Sequence, residues 1–497
     1  MTDTTSEGCS LHNVPLEVLL NIVYPLSTTD LGCLRLTSRF LEQSLYTTFA
    51  DEFFTRKQFM ISDDSLQALV DISHSRLAHH LRSVHFGLDR FADGIQRPLS
   101  DDEKERKFRE RYANNFTLWN TGHHRDMMAE AFRNLPNLEG VVIRDGNSRR
   151  QSRNGPNTEW HSYGYTTAFN ETGVSLNPGL SSIWNTGLNQ YCSQVFIALL
   201  FALGAAKAKI KGIEILSRNF NHLHDFAFNI PKYLEPTVVP VLQGLEKLHL
   251  CIDLSWRSQN VELVSNTGPN RSASDLSLRT FLSHTTNLRN LRINENHTNS
   301  IGLANFIDWV VDGGSDGTNI SMPKLEELSL GTMNIDSTRL LKLISKFATS
   351  IQSLEIWKVT MVHSLQPDVR GLPTNEVFWS SFLTKLTEVP GLELRHLKLG
   401  MLKQHWRGVL APAPINFVRT GPTIQYTGID WKLFVEEIIP LMEAPHFEID
   451  DLQDDILRFL MNGEGAALGL MDDDADEQEF LAWDGDSEPD VEDFNFV

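Results

Sequence analysis

Eight times along this chain an apolar residue is followed, three and five positions later, by two more. The copies are LRSVHF at Leu81, LEGVVI at Leu138, IKGIEI at Ile210, LEKLHL at Leu245, LRNLRI at Leu288, LEELSL at Leu325, IQSLEI at Ile351 and LRHLKL at Leu394. The second and third apolar positions stand two apart, which is the period of a strand with one face buried. A helical spacing precedes several copies: Phe281 and Leu282 before Leu288; Leu340, Leu341, Ile344 and Phe347 before Ile351; Phe378, Phe382 and Leu386 before Leu394. The predicted unit is helix, tight turn, short strand. Stacking such units in parallel buries each strand's apolar side against its own helix and its neighbours. From Leu245 the steps between copies are 43, 37, 26 and 43 residues, so an irregular stack with inserted loops is expected.

The stretch VPLEVLLNIVYPLSTTDLGCLRLTSRF, Val14 to Phe40, has a helical period instead. Leu16, Leu19, Leu20 and Val23 form one stripe, and Val18, Ile22 and Leu26 form a second line beside it. Asn13 is placed to cap this helix, with Pro15 in its first turn. The cluster Ser27 to Asp30 stops it and caps a second helix. There Leu31, Leu34, Leu41 and Leu45 make one face, and Cys33, Leu36 and Phe40 a nearly opposite one. A helix apolar on two sides must be covered on two sides. One cover is the partner helix; the other is the rest of the chain or a second protein.

Beyond this module, Leu45 to Met60 reads as a further helix and Asp101 to Arg111 as a charged surface helix. Asp145 to Asn189, rich in Gly, Asn, Ser and Trp, reads as a long insertion. Val195 to Ala206 is apolar but too short to cross a bilayer, and reads as a buried helix. The expected division is residues 1–9 as a disordered start, 10–56 as the helical module, 57–460 as linker helices and repeats, and 461–497 as an acidic tail.

With 497 residues the chain exceeds what one compact core accommodates. Its formal charge of −20 argues against a nucleic-acid or anionic-membrane partner. Twelve of the acidic residues lie between Met471 and Val497, so the remainder is only mildly acidic. That tail is expected to be solvated and disordered. Phe480, Leu481, Trp483, Phe494 and Phe496 are apolar points through which it could bind a basic groove or fold back on the chain's own repeats. The four cysteines, Cys9, Cys33, Cys192 and Cys251, form no CxxC pair, which suits a reducing compartment. The start, MTDTTSEGCS, lacks a basic and apolar leader pattern. The expectation is an intracellular protein, cytoplasmic or nuclear.

The recurrent L-x-x-L-x-L element resembles the leucine-rich repeat, although most spacings exceed that family's usual length and most copies lack its asparagine after the strand. The opening stretch resembles an F-box. Pro15, Glu17, Ile22, Leu26, Asp30, Leu31, Leu34, Arg35, Ser38 and Arg39 keep the family's residue types at its spacing, Val14 stands for its usual Leu, and Phe40 for its usual Trp. The expected fold is thus α/β: a helical F-box, then an irregular leucine-rich-repeat-like solenoid of alternating helices and short parallel strands. The resemblance implies docking on a Skp-type adaptor and, through it, on a cullin, with Pro15, Ile22, Leu26, Leu31 and Leu34 contributing to the adaptor interface. It implies a substrate receptor of an SCF-type ubiquitin ligase, with the repeats holding an unidentified target protein.

In that reading no residue is catalytic, no cofactor or metal is needed, and neither nucleic acid nor membrane is a partner. Loops after the strands are the expected target site: Trp256 to Asp275, Asn294 to Asn305, Lys358 to Asn375 and Lys403 to Gly428, with Trp357, Trp379 and Trp406 either anchors there or core residues. One alternative is a scaffold that uses its F-box outside ubiquitin transfer. Another is an enzyme with a site in the Asp145–Asn189 insertion. The clusters His123, His124, Asp126 and His222, His224, Asp225 could each supply two metal ligands, but no third or fourth falls at a metal-site spacing. No phosphate-binding glycine loop or HExxH is present.

Overall fold

The computed structural model describes residues 11–91, 101–146, 153, 161–176, 189–217, 222–254, 275–295, 300–314, 319–363, 377–406 and 412–444. The acidic tail and the other remaining segments lie outside the described residues. The chain is mixed α/β with mostly parallel strands, and it divides into two compact units, Met1–Leu291 with Ile320–Lys324, and Arg292–Asn319 with Leu325–Val497.

The first unit opens with four short helices, α1 (Leu16–Val23), α2 (Thr28–Thr37), α3 (Arg39–Ser44) and α4 (Tyr46–Phe54). Their shared core is Leu19, Val23, Leu31, Leu41, Leu45 and Phe53. Ser27 caps α2: its hydroxyl accepts from the Asp30 amide at 3.1 Å and donates to the Asp30 carboxylate at 2.7 Å. Ser38, in extended backbone, accepts from the Leu41 amide at 3.2 Å. This second cap breaks the predicted second helix in two while keeping Leu31, Leu41 and Leu45 buried. Asn13 does not cap α1. It ends a 3-10 turn, and Pro15 takes the cap position, its carbonyl accepting from the Leu19 amide at 3.0 Å. The helix expected to run to Met60 stops at Phe54, and Arg56–Met60 is a strand, β1.

The unit continues through α5 (Asp63–Ser73), β2 (Ser83–Gly87), α6 (Asp102–Thr121), α7 (His123–Asn134), β3 (Gly140–Arg144), α8 (Tyr165–Thr172) and α9 (Asn189–Ala206). It then forms β4 (Gly212–Leu216), β5 (Leu223–His224), α10 (Glu235–Gln243), β6 (Lys247–Asp253) and α11 (Leu276–Ser283). β1, β2, β3, β4 and β6 lie side by side and parallel, with β5 also on β6. Val84, Val141, Ile213 and Leu248 share one register row. Helices α5, α7, α9 and α10 pack in succession. The predicted buried helix is α9, where Val195, Phe196, Leu199 and Leu203 are fully covered.

Lys57 of β1 stands in register with Val84, so Phe54-x-x-Lys57-x-Phe59 is a further copy of the repeat with a lysine in its middle apolar position. Burial lowers the Lys57 pKa, and its ammonium lies 5.4 Å from the Phe54 ring centre. Along β1 runs the described part of the insertion. The Tyr163 amide donates to the Gln58 carbonyl at 2.9 Å. The Ser162 hydroxyl donates to the buried Asp89 carboxylate at 2.6 Å and accepts from the Gln58 amide group at 2.9 Å. This close approach needs Gly87, because a side-chain carbon there would collide with the Ser162 hydroxyl.

The second unit takes the last four residues of β7 (Asn290–Glu295), then α12 (Ser300–Asp312), β8 (Glu327–Gly331), β9 (Asn334–Ile335), α13 (Ser337–Lys346), β10 (Ser353–Trp357) and β11 (Thr360–His363). It ends with α14 (Phe378–Thr387), β12 (His396–Gly400), β13 (Lys403–Trp406), β14 (Ala413–Pro414), β15 (Asn416–Phe417), β16 (Thr423–Thr427), α15 (Trp431–Ile438) and β17 (Met442–Glu443). β8, β10 and β12 are parallel, and β16 closes on β12 antiparallel. A second ribbon, β9, β11 and β13, follows the same order in parallel.

A turn recurs between the two ribbons. Thr332, Lys358 and Met401 all take left-handed backbone, with φ of 47°, 52° and 51°. The Thr332 amide donates to the Trp357 carbonyl at 3.0 Å, Lys358 to Gly400 at 2.9 Å and Met401 to Pro422 at 2.9 Å. The next residues, Met333, Val359 and Leu402, are buried. Arg339 of α13 forks onto Asp308 of α12 at 2.9 and 3.0 Å, tying neighbouring helices together.

In all eight predicted copies the three apolar positions are buried. Leu354 is fully buried, in register between Leu328 and Leu397. Leu354→Ala is expected to lower the unfolding free energy by about 2–5 kcal/mol, read as a shift of the denaturant midpoint. A second prediction concerns Glu214, which sits between Lys247 (3.1 Å) and His249 (3.0 Å), the latter's other ring nitrogen facing Asn290 Oδ1 at 2.9 Å. Burial alone would raise the Glu214 pKa; contact with His249 and Lys247 outweighs it and holds the carboxyl well below its ordinary 4.5. The stability this supplies is present above that value and is lost as pH falls through the lower folded value. Glu214→Gln should therefore lose less thermal stability than the unaltered protein between about pH 5 and pH 3, measured by melting at each pH.

Candidate functional site

The module of α1 to α4 has more apolar surface than its core consumes. On α1, Leu19 and Val23 point inward, while Leu16, Val18 and Ile22 are 48%, 47% and 42% exposed. Val18 and Ile22 stand one helical turn apart and so form a continuous outward line. On α2, Leu31 is buried and Leu36 is 87% exposed, with Cys33 exposed one turn before it. The two lines read on α1 are thus only partly separated: Leu16 of the first faces out with Val18 and Ile22, and Leu26 of the second packs on the core with Leu19 and Val23.

The five residues expected at a partner interface divide between these sides. Pro15 and Ile22 are exposed. Leu26 and Leu34 are half-buried and pack against the core. Leu31 is only 2% exposed, because its side chain fills the space between the helices, and it supports the face from beneath. Leu16, Val18 and Leu36 are outward residues not among the five.

The polar side of the module is joined to the first repeat. Arg35 lies 3.4 Å over the Phe49 ring and reaches Glu42 at 3.2 Å; burial lowers its pKa, with Glu42 opposing that shift. Glu42 also pairs with Arg76, whose guanidinium lies 4.0 Å over Tyr46. His80 Nδ1 meets Asp51 at 2.8 Å. Arg76 and His80 belong to the turn before β2. A more distant residue, Arg153 of the insertion, reaches Glu52 of α4 and carbonyls at the end of α1. Nothing in the local sequence marks Arg153, since its partners are more than a hundred positions away.

The loops expected to hold a target are more structured than predicted. Lys403 to Gly428 carries β13 to β16, and Asn294 to Asn305 carries the end of β7 and the start of α12. Lys358 to Asn375 opens with β11, and its residues 364–375 lie outside the described residues, as do 256–274. Of the two alternatives for the tryptophans, Trp357 and Trp379 take the core one, and the Trp379 indole donates to the Lys403 carbonyl at 2.9 Å. The side chain of Trp406 lies outside the described residues.

Three reactive side chains elsewhere in the first unit are bonded or buried. Ser162 spends its hydroxyl proton on Asp89, whose pKa burial raises. The Cys192 thiol is buried, which raises its pKa and keeps it protonated. His124 is buried beneath Trp119, its Nδ1 3.1 Å from the Leu118 carbonyl, and burial lowers its pKa. Among the described residues no three His, Cys, Asp or Glu side chains are grouped to hold a metal ion, and no helix is long and apolar enough to cross a membrane. Compared with known proteins, the chain matches no family model and no curated sequence.

Proposed function

We propose that this protein is a substrate receptor of an SCF-type ubiquitin ligase, its N-terminal module acting as an F-box that docks on a Skp-type adaptor and its repeats holding a target protein. The observation that carries the reading is the outward apolar side of α1 and α2, which the module's own core leaves uncovered. Its residues sit in the stretch whose spacing resembles an F-box. An exposed apolar line on a soluble surface is unfavourable unless a partner buries it. The repeats support the second half of the reading, since an array of parallel strands and helices presents an extended surface for a protein ligand.

The mechanism is proximity. The adaptor, through a cullin, would bring a charged ubiquitin-conjugating enzyme near a target held on the repeats, raising the effective concentration of the target lysine at the thioester. Binding energy and orientation are the contribution of this chain.

Two predictions follow from the division of the face. Val18→Asp with Ile22→Asp places two charges on the outward line and is expected to weaken binding of a purified Skp-type adaptor by tenfold or more, about 1.4 kcal/mol or above. The melting temperature should stay close to that of the unaltered chain, because neither residue is in the core. Unchanged adaptor affinity, by calorimetry, would remove this face from the interface. Leu31→Ala should behave in the opposite order, destabilising the module by about 2–5 kcal/mol, with any affinity loss tracking the unfolded fraction.

A further inference from the structure

Helix α1 carries the outward line but is poorly provided for by its own sequence. It has eight residues, a length at which an isolated helix is unstable in water. Its cap residue Pro15 makes no side-chain capping bond, and its last turn holds no basic residue to offset the negative end of the helix dipole. The last carbonyls of any helix lack an intrahelical donor.

Two such carbonyls, of Val23 and the cap residue Tyr24, meet Arg153 together with the Leu26 carbonyl just beyond the helix. Its Nη1 donates to the carbonyl oxygens of Val23, of Tyr24 at 3.1 Å and of Leu26 at 3.4 Å. Its Nε and Nη2 donate to the two oxygens of Glu52 at 2.6 and 2.8 Å. The side chain is 11% exposed, so the charge is largely shielded from water and its partners are not readily exchanged for solvent. One guanidinium thus supplies the missing cation at the end of α1 and clamps that end to α4. A lysine could not do both, since it presents a single point charge in place of a planar fork.

We propose that Arg153, which the chain contributes from beyond β3, is a positioning residue of the docking face: it holds α1 at the angle at which Val18 and Ile22 are presented. The inference rests on the reading of that face as an adaptor surface. It implies that residues 1–60 alone lack a part of the module, and that the insertion completes it.

The test uses the full chain with Arg153→Ala, Arg153→Lys and, as a control of general destabilisation, Leu69→Ala in the core of the first repeat. Amide hydrogen exchange over α1 and affinity for a purified Skp-type adaptor are both measured. Arg153→Ala should speed exchange across α1 and weaken adaptor binding, each on the order of tenfold, as expected for loss of charge-assisted bonds. Arg153→Lys should recover less than half of either effect. Leu69→Ala should lower the melting temperature and leave both readouts at the level of the unaltered chain. Unchanged α1 exchange in Arg153→Ala would overturn the proposal, and so would faster exchange with unchanged affinity. If the unaltered chain does not bind the adaptor, the adaptor reading itself fails and the positioning role falls with it, while faster α1 exchange would still identify Arg153 as the clamp on that helix.

Discussion

A five-residue strand with one apolar side cannot exist by itself in water. Its amides need a neighbour in register, and its apolar row needs a helix laid across it. Everything else in this chain answers that requirement. Rows such as Val84, Val141, Ile213 and Leu248 are buried together because each strand borrows its partner's backbone and shares its partner's helices. The burial is collective, so the spacing between copies can vary while the strand itself cannot. Insertions go between the units, and the three apolar positions stay.

That collectivity explains what the sequence reveals and what it hides. The eight copies are legible because each carries all three apolar letters. β1 is hidden because Lys57 occupies the middle letter, and only its register opposite Val84 discloses the equivalence. A lysine survives there because its long stem can lie on Phe54 while β1 has the insertion at its side rather than another repeat strand. β16 is hidden for a different reason. It pairs antiparallel and carries only an intermediate pattern of burial, so no apolar row announces it. The break between α2 and α3 rests on one serine hydroxyl, a feature too local for periodicity to register.

The N-terminal module shows the same limit from the other side. Spacing gives two apolar faces to each of its helices; on α1 the folded chain divides them differently, with Leu16 outward and Leu26 on the core. Which face is inward could not be read residue by residue, because Leu31 and Leu36 have the same chemistry and differ only in what the folded chain places above them. Nor could the junction with the repeats be read, since Glu42, Asp51 and Glu52 find Arg76, His80 and Arg153 across large gaps in the sequence. Charged surface residues of this kind have no periodic signature. Their meaning is entirely tertiary.

The left-handed turns at Thr332, Lys358 and Met401 set where this protein can change. Each strains a non-glycine residue and is held by one hydrogen bond from its amide to the chain segment beside it, so a residue added between β8 and β9, or between β10 and β11, would displace that bond. Between repeats the spacing is free to vary: from Leu245 the steps to the next copies are 43, 37, 26 and 43 residues. Length is therefore fixed within each turn and varies only between one repeat and the next. A lineage could lengthen or shorten the connections between repeats, with the strands and turns left as they were.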